Sequence, residues 1–451
     1  MSKLRLPLSA LISLFMLLLC LPGEVRASSA AAPGQGSCVT DSCHAAIVKS
    51  ASLHGPVGMG ECLSCHVQKG KHKFEPIRNA GKLCSQCHEE MNTQAYVHDP
   101  VNKGSCLLCH DPHGSPNRFQ LRAPSGELCF RCHDRTRFAA KFVHGPVAVG
   151  SCVACHSPHQ SRNKALLISP GNEVCYSCHQ DKGEELRGAK FVHAPVAQSC
   201  VNCHNPHGGN FRYNLLVEGA DALCFTCHGD KAKSIKEAAV PHQALGTERK
   251  CLACHEPHGS RYVKQLIKEP ADLCLGCHNR EYNGANGRIS NIRAVLDHNT
   301  DHHGPIRQKD CSGCHNAHGS PNFRMLREQF PQVFYAGYNP ENYRLCFQCH
   351  EKNLANEERT RTMTNFRNGD QNLHFVHVNK TVKGRTCRAC HDAHATNNPR
   401  HVRNDVPFAK WQLPIGFTRT DKGGTCLPGC HQLYKYDRDS PVPNRPPVSA
   451  R

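Results

Sequence analysis

Apolar residues are concentrated at one end of this chain. Lys3 and Arg5 precede an apolar run from Leu8 to Leu21, and Val25-Arg26-Ala27 follows as a small-residue cleavage site. This order predicts a secretory signal peptide over residues 1–27. The run holds 14 residues, short of the roughly 20 that span a bilayer. No later stretch is apolar enough to span, so an exported chain without a transmembrane segment is expected after cleavage. Beyond the run, Gly, Pro and Asn punctuate every segment, as at Gly145-Pro146, Pro206-His207-Gly208 and Gly319-Ser320-Pro321. The pattern predicts little secondary structure: few strands, and short helices at Lys182–Arg187, Lys231–Ala239 and Ile289–Asp297. Residues 28–37 read as a mobile leader, and the Pro/Arg-rich stretch 437–451 as a disordered tail.

Composition sharpens this picture. With one Trp, 6% aromatic residues and a mean hydropathy of −0.53, 451 residues hold little material for an ordinary core. The chain instead has 31 cysteines. Cys20 lies in the signal segment, and the other 30 form fifteen pairs, each followed by histidine. The first is wide: Cys38 and Cys43 with His44. Seven doubled repeats follow. They comprise Cys62 and Cys65 (His66) with Cys84 and Cys87 (His88), then Cys106 and Cys109 (His110) with Cys129 and Cys132 (His133). Next come Cys152 and Cys155 (His156) with Cys175 and Cys178 (His179), then Cys200 and Cys203 (His204) with Cys224 and Cys227 (His228). Cys251 and Cys254 (His255) pair with Cys274 and Cys277 (His278), and Cys311 and Cys314 (His315) with Cys346 and Cys349 (His350). The last are Cys387 and Cys390 (His391) with Cys426 and Cys430 (His431), where three residues separate the final cysteines.

A disulfide framework explains an even cysteine count, but not a histidine after every second cysteine. Zinc sites use Cys-x-x-Cys pairs without needing that histidine fifteen times over. Covalent haem c needs all three residues: the cysteines take the vinyl groups as thioethers and the histidine ligates iron. About 15 haems per chain are therefore expected, one for about every 28 mature residues. Their apolar faces would supply the missing core, at about 25 cal/mol per Å² buried. The first five repeats recur at about 45 residues, which is a repeat architecture. The expected organisation is residues 28–53 with the first haem, compact two-haem repeats over 54–280, and insertion-containing repeats over 281–436. The fold class is haem-organised, with short α-helices and loops in an elongated array of two-haem units.

The formal charge of +18 would suit a nucleic-acid binder. Two propionates per haem offset it, since an oxidised bis-histidine haem carries about −1 overall. The holoprotein comes out near neutral, and no nucleic-acid partner is expected.

Electron-transfer haems take His or Met as the second axial ligand. Four mature methionines sit at no repeating place, whereas 18 histidines lie outside the motifs. One precedes the first motif of each repeat: His54, His98, His144, His193, His242, His303 and His377. Another follows that motif's own histidine by three residues: His113, His159, His207, His258, His318 and His394, with His72 six residues on in the first repeat. A histidine three residues on should not reach the far face of its own haem, so a neighbouring haem is its expected site. His298, His302, His374 and His401 remain for the haem of His44.

The run Cys-x-x-Cys-His-x-Pro-His-Gly-Ser, a Leu pair, then Leu-Cys-x-x-Cys-His resembles the doubled CxxCH repeat of large multihaem c-type cytochromes from metal- and sulfur-respiring bacteria. Cys106 to His133, Cys152 to His179, Cys200 to His228 and Cys251 to His278 match it best. Phe366 to Asp370, His377 to Cys387, and Gly423 to Cys426 with Tyr436-Asp437-Arg438 resemble the C-terminal part of such proteins. The wide first and last motifs depart from the pattern, as does the first repeat, which lacks the Pro-His after His66. The resemblance implies periplasmic carriers, outer-membrane conduit partners or extracellular terminal reductases.

Three functions follow as expectations. The first is a non-enzymatic electron conduit in the periplasm, at the outer membrane or outside the cell, partnered by donor and acceptor cytochromes, an outer-membrane complex or metal oxides. The second is a multihaem reductase of nitrite, hydroxylamine or a sulfur oxyanion, with an open iron at the haem of His44 or His431. No Cys-x-x-Cys-Lys motif is present to favour it. The third is an electron-carrying filament or scaffold subunit.

Overall fold

Each CXXCH motif is built on a turn of helix, because spacings of three and four residues put both cysteines and the histidine on one helical face. The computed structural model describes residues 38–77, 80–284 and 287–444. The expected signal peptide and leader, and the end of the expected tail, lie outside the described residues. First motifs occupy single 3-10 turns, such as Cys106–Leu108, Cys152–Ala154 and Cys200–Asn202. Second motifs end short α-helices, such as Ser125–Cys129, Ala220–Phe225 and Pro270–Leu275. In both, the histidine N–H bonds back to the carbonyl of the first cysteine: His110 to Cys106 and His133 to Cys129, each at 3.0 Å.

Helices stay short. The longest among the described residues is Gln180–Gly188, which contains the expected Lys182–Arg187 segment. The helix expected from Lys231 to Ala239 runs over Gly229–Lys236. The one expected from Ile289 begins only at Ile292, because the Asn291 side chain accepts from the Ala294 N–H at 2.9 Å and caps it there. Gly287–Ile289 instead pairs as a strand with Tyr282–Gly284.

Strands are more numerous than expected, although most hold two residues. They have a repeated purpose. The residues just before an upstream histidine pair antiparallel with the two residues that follow the post-motif histidine of the next repeat. Ser52–Leu53 pairs with Gly114–Ser115, Tyr96–Val97 with Gln160–Ser161, and Phe191–Val192 with Gly259–Ser260. Phe142–Val143 pairs with Gly208–Gly209, and Asp301–His302 with Ala395–Thr396. Each ladder thus ties one repeat to the next.

By compactness the chain forms two units. One comprises the residues up to 134 with 149–168, and the other 135–148 with 169 onward. The expected boundary near 280 does not mark this division. In the first unit the backbones of Gly126 and Gly150 nearly touch: a Cβ on Gly126 would lie 2.8 Å from Gly150 Cα, and Gly150 has φ +69°. That approach sets Cys129 beside Cys152, their side chains hydrogen-bonded. In the second unit a small cluster of Tyr343, Ala355 and Val378 is packed by Phe330, Tyr338, Phe347 and Cys387. Apolar burial elsewhere is sparse, as the composition requires.

The expected disordered tail needs correction over its described part. Tyr434–Asp437 is a strand against Gly423–Cys426. Beyond it, Val442 N donates to Asn368 Oδ1 and Lys435 N to Asn444 Oδ1, both at 2.8 Å. Side-chain amides hold this segment, which apolar patterning could not foretell.

Candidate metal centres

None of the described cysteines is in a disulfide. Burial, with the neighbouring thiol of Cys152, pushes Cys129 up to about 11, and burial with Cys200 does the same for Cys175. These sulfurs are thiols at neutral pH, the form that adds to a vinyl group. The first cysteine of a second motif touches that of the next first motif: Cys84 and Cys106, Cys175 and Cys200, Cys346 and Cys387.

The first-motif histidines share one device. Nδ1–H of His110 donates to Phe119 O, of His156 to Ala165 O and of His204 to Tyr213 O, each at 2.8 Å. His255 donates to Lys264 O at 2.9 Å, His315 to Arg324 O at 3.0 Å and His391 to Arg400 O at 2.9 Å. Every acceptor residue is left-handed, with φ between 50° and 61°, although none is glycine. Such a residue costs roughly 1–2 kcal/mol. A buried hydroxyl offsets this by closing the loop: Ser115 Oγ donates to Leu121 O at 2.8 Å and Ser161 Oγ to Leu167 O at 2.6 Å. Because a carbonyl can only accept, Nδ1 keeps its proton and the Nε2 lone pair is free for a metal.

The upstream histidines are fixed the same way by the ladders. Nδ1 of His54 donates to Pro112 O, of His98 to Pro158 O and of His144 to Pro206 O, each at 2.9 Å. His193 donates to Pro257 O at 3.1 Å and His242 to Ala317 O at 2.9 Å. The backbone N–H groups of His54, His98, His144 and His193 bond to the carbonyl of a post-motif histidine, as His98 N does to His159 O at 2.8 Å.

These supports bring imidazoles together in twelve pairs among the described residues. Upstream histidines face the second-motif histidine of their own repeat: His54 with His88, His98 with His133, His144 with His179, His193 with His228, His242 with His278, and His303 with His350. Post-motif histidines face the first-motif histidine of the preceding repeat: His113 with His66, His159 with His110, His258 with His204, His318 with His255, and His394 with His315. The twelfth pair is His374 with His391. Centroid separations run only from 6.0 Å (His54–His88) to 6.4 Å (His374–His391), and interplanar angles from 7° (His315–His394) to 24° (His110–His159).

The separation tests the fit to haem iron. Imidazoles in direct face-to-face contact sit about 3.5–4 Å apart. Two rings that share one metal sit about 6 Å apart, since each metal–nitrogen bond is about 2 Å and each ring centre lies about 1 Å behind its nitrogen. The pairs therefore fit an iron between them.

The remaining histidines behave differently. His377, expected as an axial ligand, does not face His391. It lies beside Phe366 at 5.8 Å, with Nδ1 donating to Leu373 O at 2.6 Å. His374, left among the spare histidines by spacing alone, takes the place opposite His391. Its helix, Leu373–Val378, is capped by Asn372, which accepts from His374 N at 3.0 Å. Burial, and then His391, pushes His374 down to about 3, and burial pushes His377 down to about 4. Both rings are neutral and able to ligate. His431 stacks on Tyr434 at 4.4 Å. His44 and His72 have no ring partner among the described residues, and both lie in left-handed backbone. His207 meets the Phe138 ring edge-on at 5.2 Å. The other three spare histidines have contacts within the second unit. His302 Nε2 donates to Asn299 O at 2.8 Å, His401 lies edge-on to His303 at 5.4 Å, and the His298 carbonyl accepts from Asn397 Nδ2 at 3.1 Å.

No helix among the described residues is long and apolar enough to cross a membrane. The family model described as the doubled CXXCH motif matches residues 54–93, 98–138, 144–184, 193–233, 242–282 and 303–355, together over half of the chain. No curated protein matches the sequence.

Proposed function

The chain belongs to the doubled CXXCH motif family of multihaem c-type cytochromes, and on that premise we propose that it is a non-enzymatic electron conduit carrying 15 haems. The haem supplies reversible one-electron chemistry. The chain supplies everything else. Motif cysteines would tether each haem, and the motif histidines with their partner imidazoles would hold its iron. The proposed sixth ligands are those in the twelve facing pairs, with His374 serving the haem of His391. His377 is assigned to the haem of His431, a residue among its electrostatic neighbours.

The observation that carries this reading is the repeated facing of two imidazoles at one separation. It leaves no coordination position for a substrate at those irons, and methionine, which raises potentials, is replaced by histidine. Linked ladders and touching cysteines keep successive haems of a compact unit adjacent, as electron hopping needs. The donor in this reading is a quinol-linked or periplasmic protein. The acceptor is another cytochrome, an outer-membrane complex or a metal oxide. The loops of 279–425 are the proposed docking surface, since functional contacts favour long loops.

The test is reoxidation of the reduced, purified holoprotein. A conduit is reoxidised rapidly by a soluble ferric chelate and shows no turnover with nitrite, hydroxylamine or sulfite. Sustained turnover of any of these would favour the reductase reading, with the haem of His44, whose histidine has no facing ring among the described residues, as its site.

A further inference from the structure

Six post-motif histidines occupy equivalent places, but the residue two positions before each differs. It is Asp111 before His113, Ser157 before His159, Asn205 before His207, Glu256 before His258, Asn316 before His318 and Asp392 before His394. In two of the three acidic cases the carboxylate is already engaged. Asp392 Oδ1 accepts the backbone N–H of His394 at 2.9 Å, and its other oxygen meets Arg403 at 2.9 Å. Asp111 does the same with His113 N at 3.1 Å and lies 3.7 Å from Arg122. Their oxygens stand 3.7 Å and 3.6 Å from the ring nitrogen, beyond a hydrogen bond.

Glu256 is different. One methylene longer, it reaches the ring itself, with Oε1 3.3 Å from His258 Nδ1. Instead of an arginine, a second carboxylate stands beside it. Glu185, from the helix Gln180–Gly188, lies so that its oxygen, that of Glu256 and the His258 nitrogen are all within 4.8 Å of one another. Lys182 binds Glu185 at 2.5 Å, so one negative charge of the pair is neutralised and one remains. Glu256 and Glu185 are little more than a third exposed, so water screens that charge incompletely.

We propose that Glu256, supported by Glu185, sets the haem of His204 at a lower potential than its neighbours by polarising the Nδ1–H of its axial ligand His258. A carboxylate accepting that proton makes the imidazole a stronger donor to iron, and its charge favours the ferric over the ferrous state. In the other two acidic cases the carboxylate stays beyond hydrogen-bond range of the ring, so the series contains a built step rather than equal sites. The inference rests on His258 being an axial ligand, as proposed above.

The experiment is a spectroelectrochemical titration of the full-length holoprotein, wild type against Glu256→Gln, with haem content measured in both. The expected result is one haem-equivalent moved to higher potential by about a tenfold change in its reduction equilibrium, 59 mV for one electron. Glu185→Gln moves the same component in the same direction by less. Superimposable titrations at equal haem content would overturn the inference. If Glu256→Gln loses haem, Glu185→Gln decides: a rise supports the proposal and no movement refutes it. His258→Ala separates the two levels. If it creates a carbon monoxide-binding haem while both glutamate variants leave the titration unmoved, the ligand assignment stands and only the tuning role fails. If it creates none, the ligand assignment itself fails.

Discussion

Replacing His113 by alanine tests the ligation across repeats. His113 stands three residues beyond His110, yet its ring faces His66 of the preceding repeat at 6.0 Å and 8°. His113→Ala should therefore open the haem tethered by Cys62 and Cys65, not the one at Cys106 and Cys109. The fold should survive. The link between repeats is backbone, through Leu53 against Gly114 and His54 N to His113 O at 3.1 Å, and neither needs the imidazole. The His113 side chain is 45% exposed, and Asp111 stands 3.6 Å away. Its loss as a protein contact should cost no more than about 1 kcal/mol. The spectroscopic effect is one haem-equivalent in fifteen that binds carbon monoxide after reduction. Its address is read by deleting haems. With Cys62→Ser and Cys65→Ser as background, His113→Ala should add no carbon monoxide-binding haem. With Cys106→Ser and Cys109→Ser it should still add one. The opposite pattern would refute the cross-repeat assignment.

Further expectations concern the scaffold. Gly150→Ala puts a Cβ at φ +69° and 3.1 Å from Gly126 Cα. It should cost at least 1–2 kcal/mol, seen as a lower guanidinium midpoint; an unchanged midpoint would contradict the backbone contact. Ser161→Ala removes the donor to Leu167 O and the acceptor for Asn163 N at 2.9 Å. It should cost about 1–3 kcal/mol and loosen the His156 turn, measurable as faster amide exchange there. Acid should weaken the C-terminal repeat. His374 and His377 are held below the ordinary histidine value in the folded chain, so the unfolded chain takes up protons first as pH falls below about 6.5. Stability should then drop by up to about 1.4 kcal/mol per pH unit for each of them, down to pH ~4. A guanidinium midpoint that stays flat or rises from pH 6.5 to 4.5 would contradict this.

The motif cysteines and histidines were legible because the chemistry is local. Two cysteines and a histidine within one helical turn need no knowledge of the fold. The facing partners were half legible. Regular offsets marked them as a set, but the ladders that aim them join distant residues: His54 bonds to the Pro112 carbonyl and His193 to that of Pro257. Two-residue strands leave no periodic trace, so their number was missed. His374 was missed for a specific reason. Every other first-motif histidine with a facing ring takes it from the following repeat, whereas His391 takes it from its own. The signal was present in Leu373–Val378, where His374 and His377 lie three apart on one helical face. The described end of the tail was misread because Asn368 and Asn444 hold it through amides, a contact that hydropathy does not register.

The central claim is that two imidazoles fill the axial positions of the thirteen haems assigned two histidines. Carbon monoxide added to the dithionite-reduced holoprotein, read in the Soret band with a parallel haem count, tests it most directly. The account predicts 15 haems per chain and no spectral change at the thirteen assigned two histidines, so a change equivalent to two haems at most. A change equivalent to three or more haems would contradict bis-histidine ligation at the assigned pairs and move a reductase site to the front.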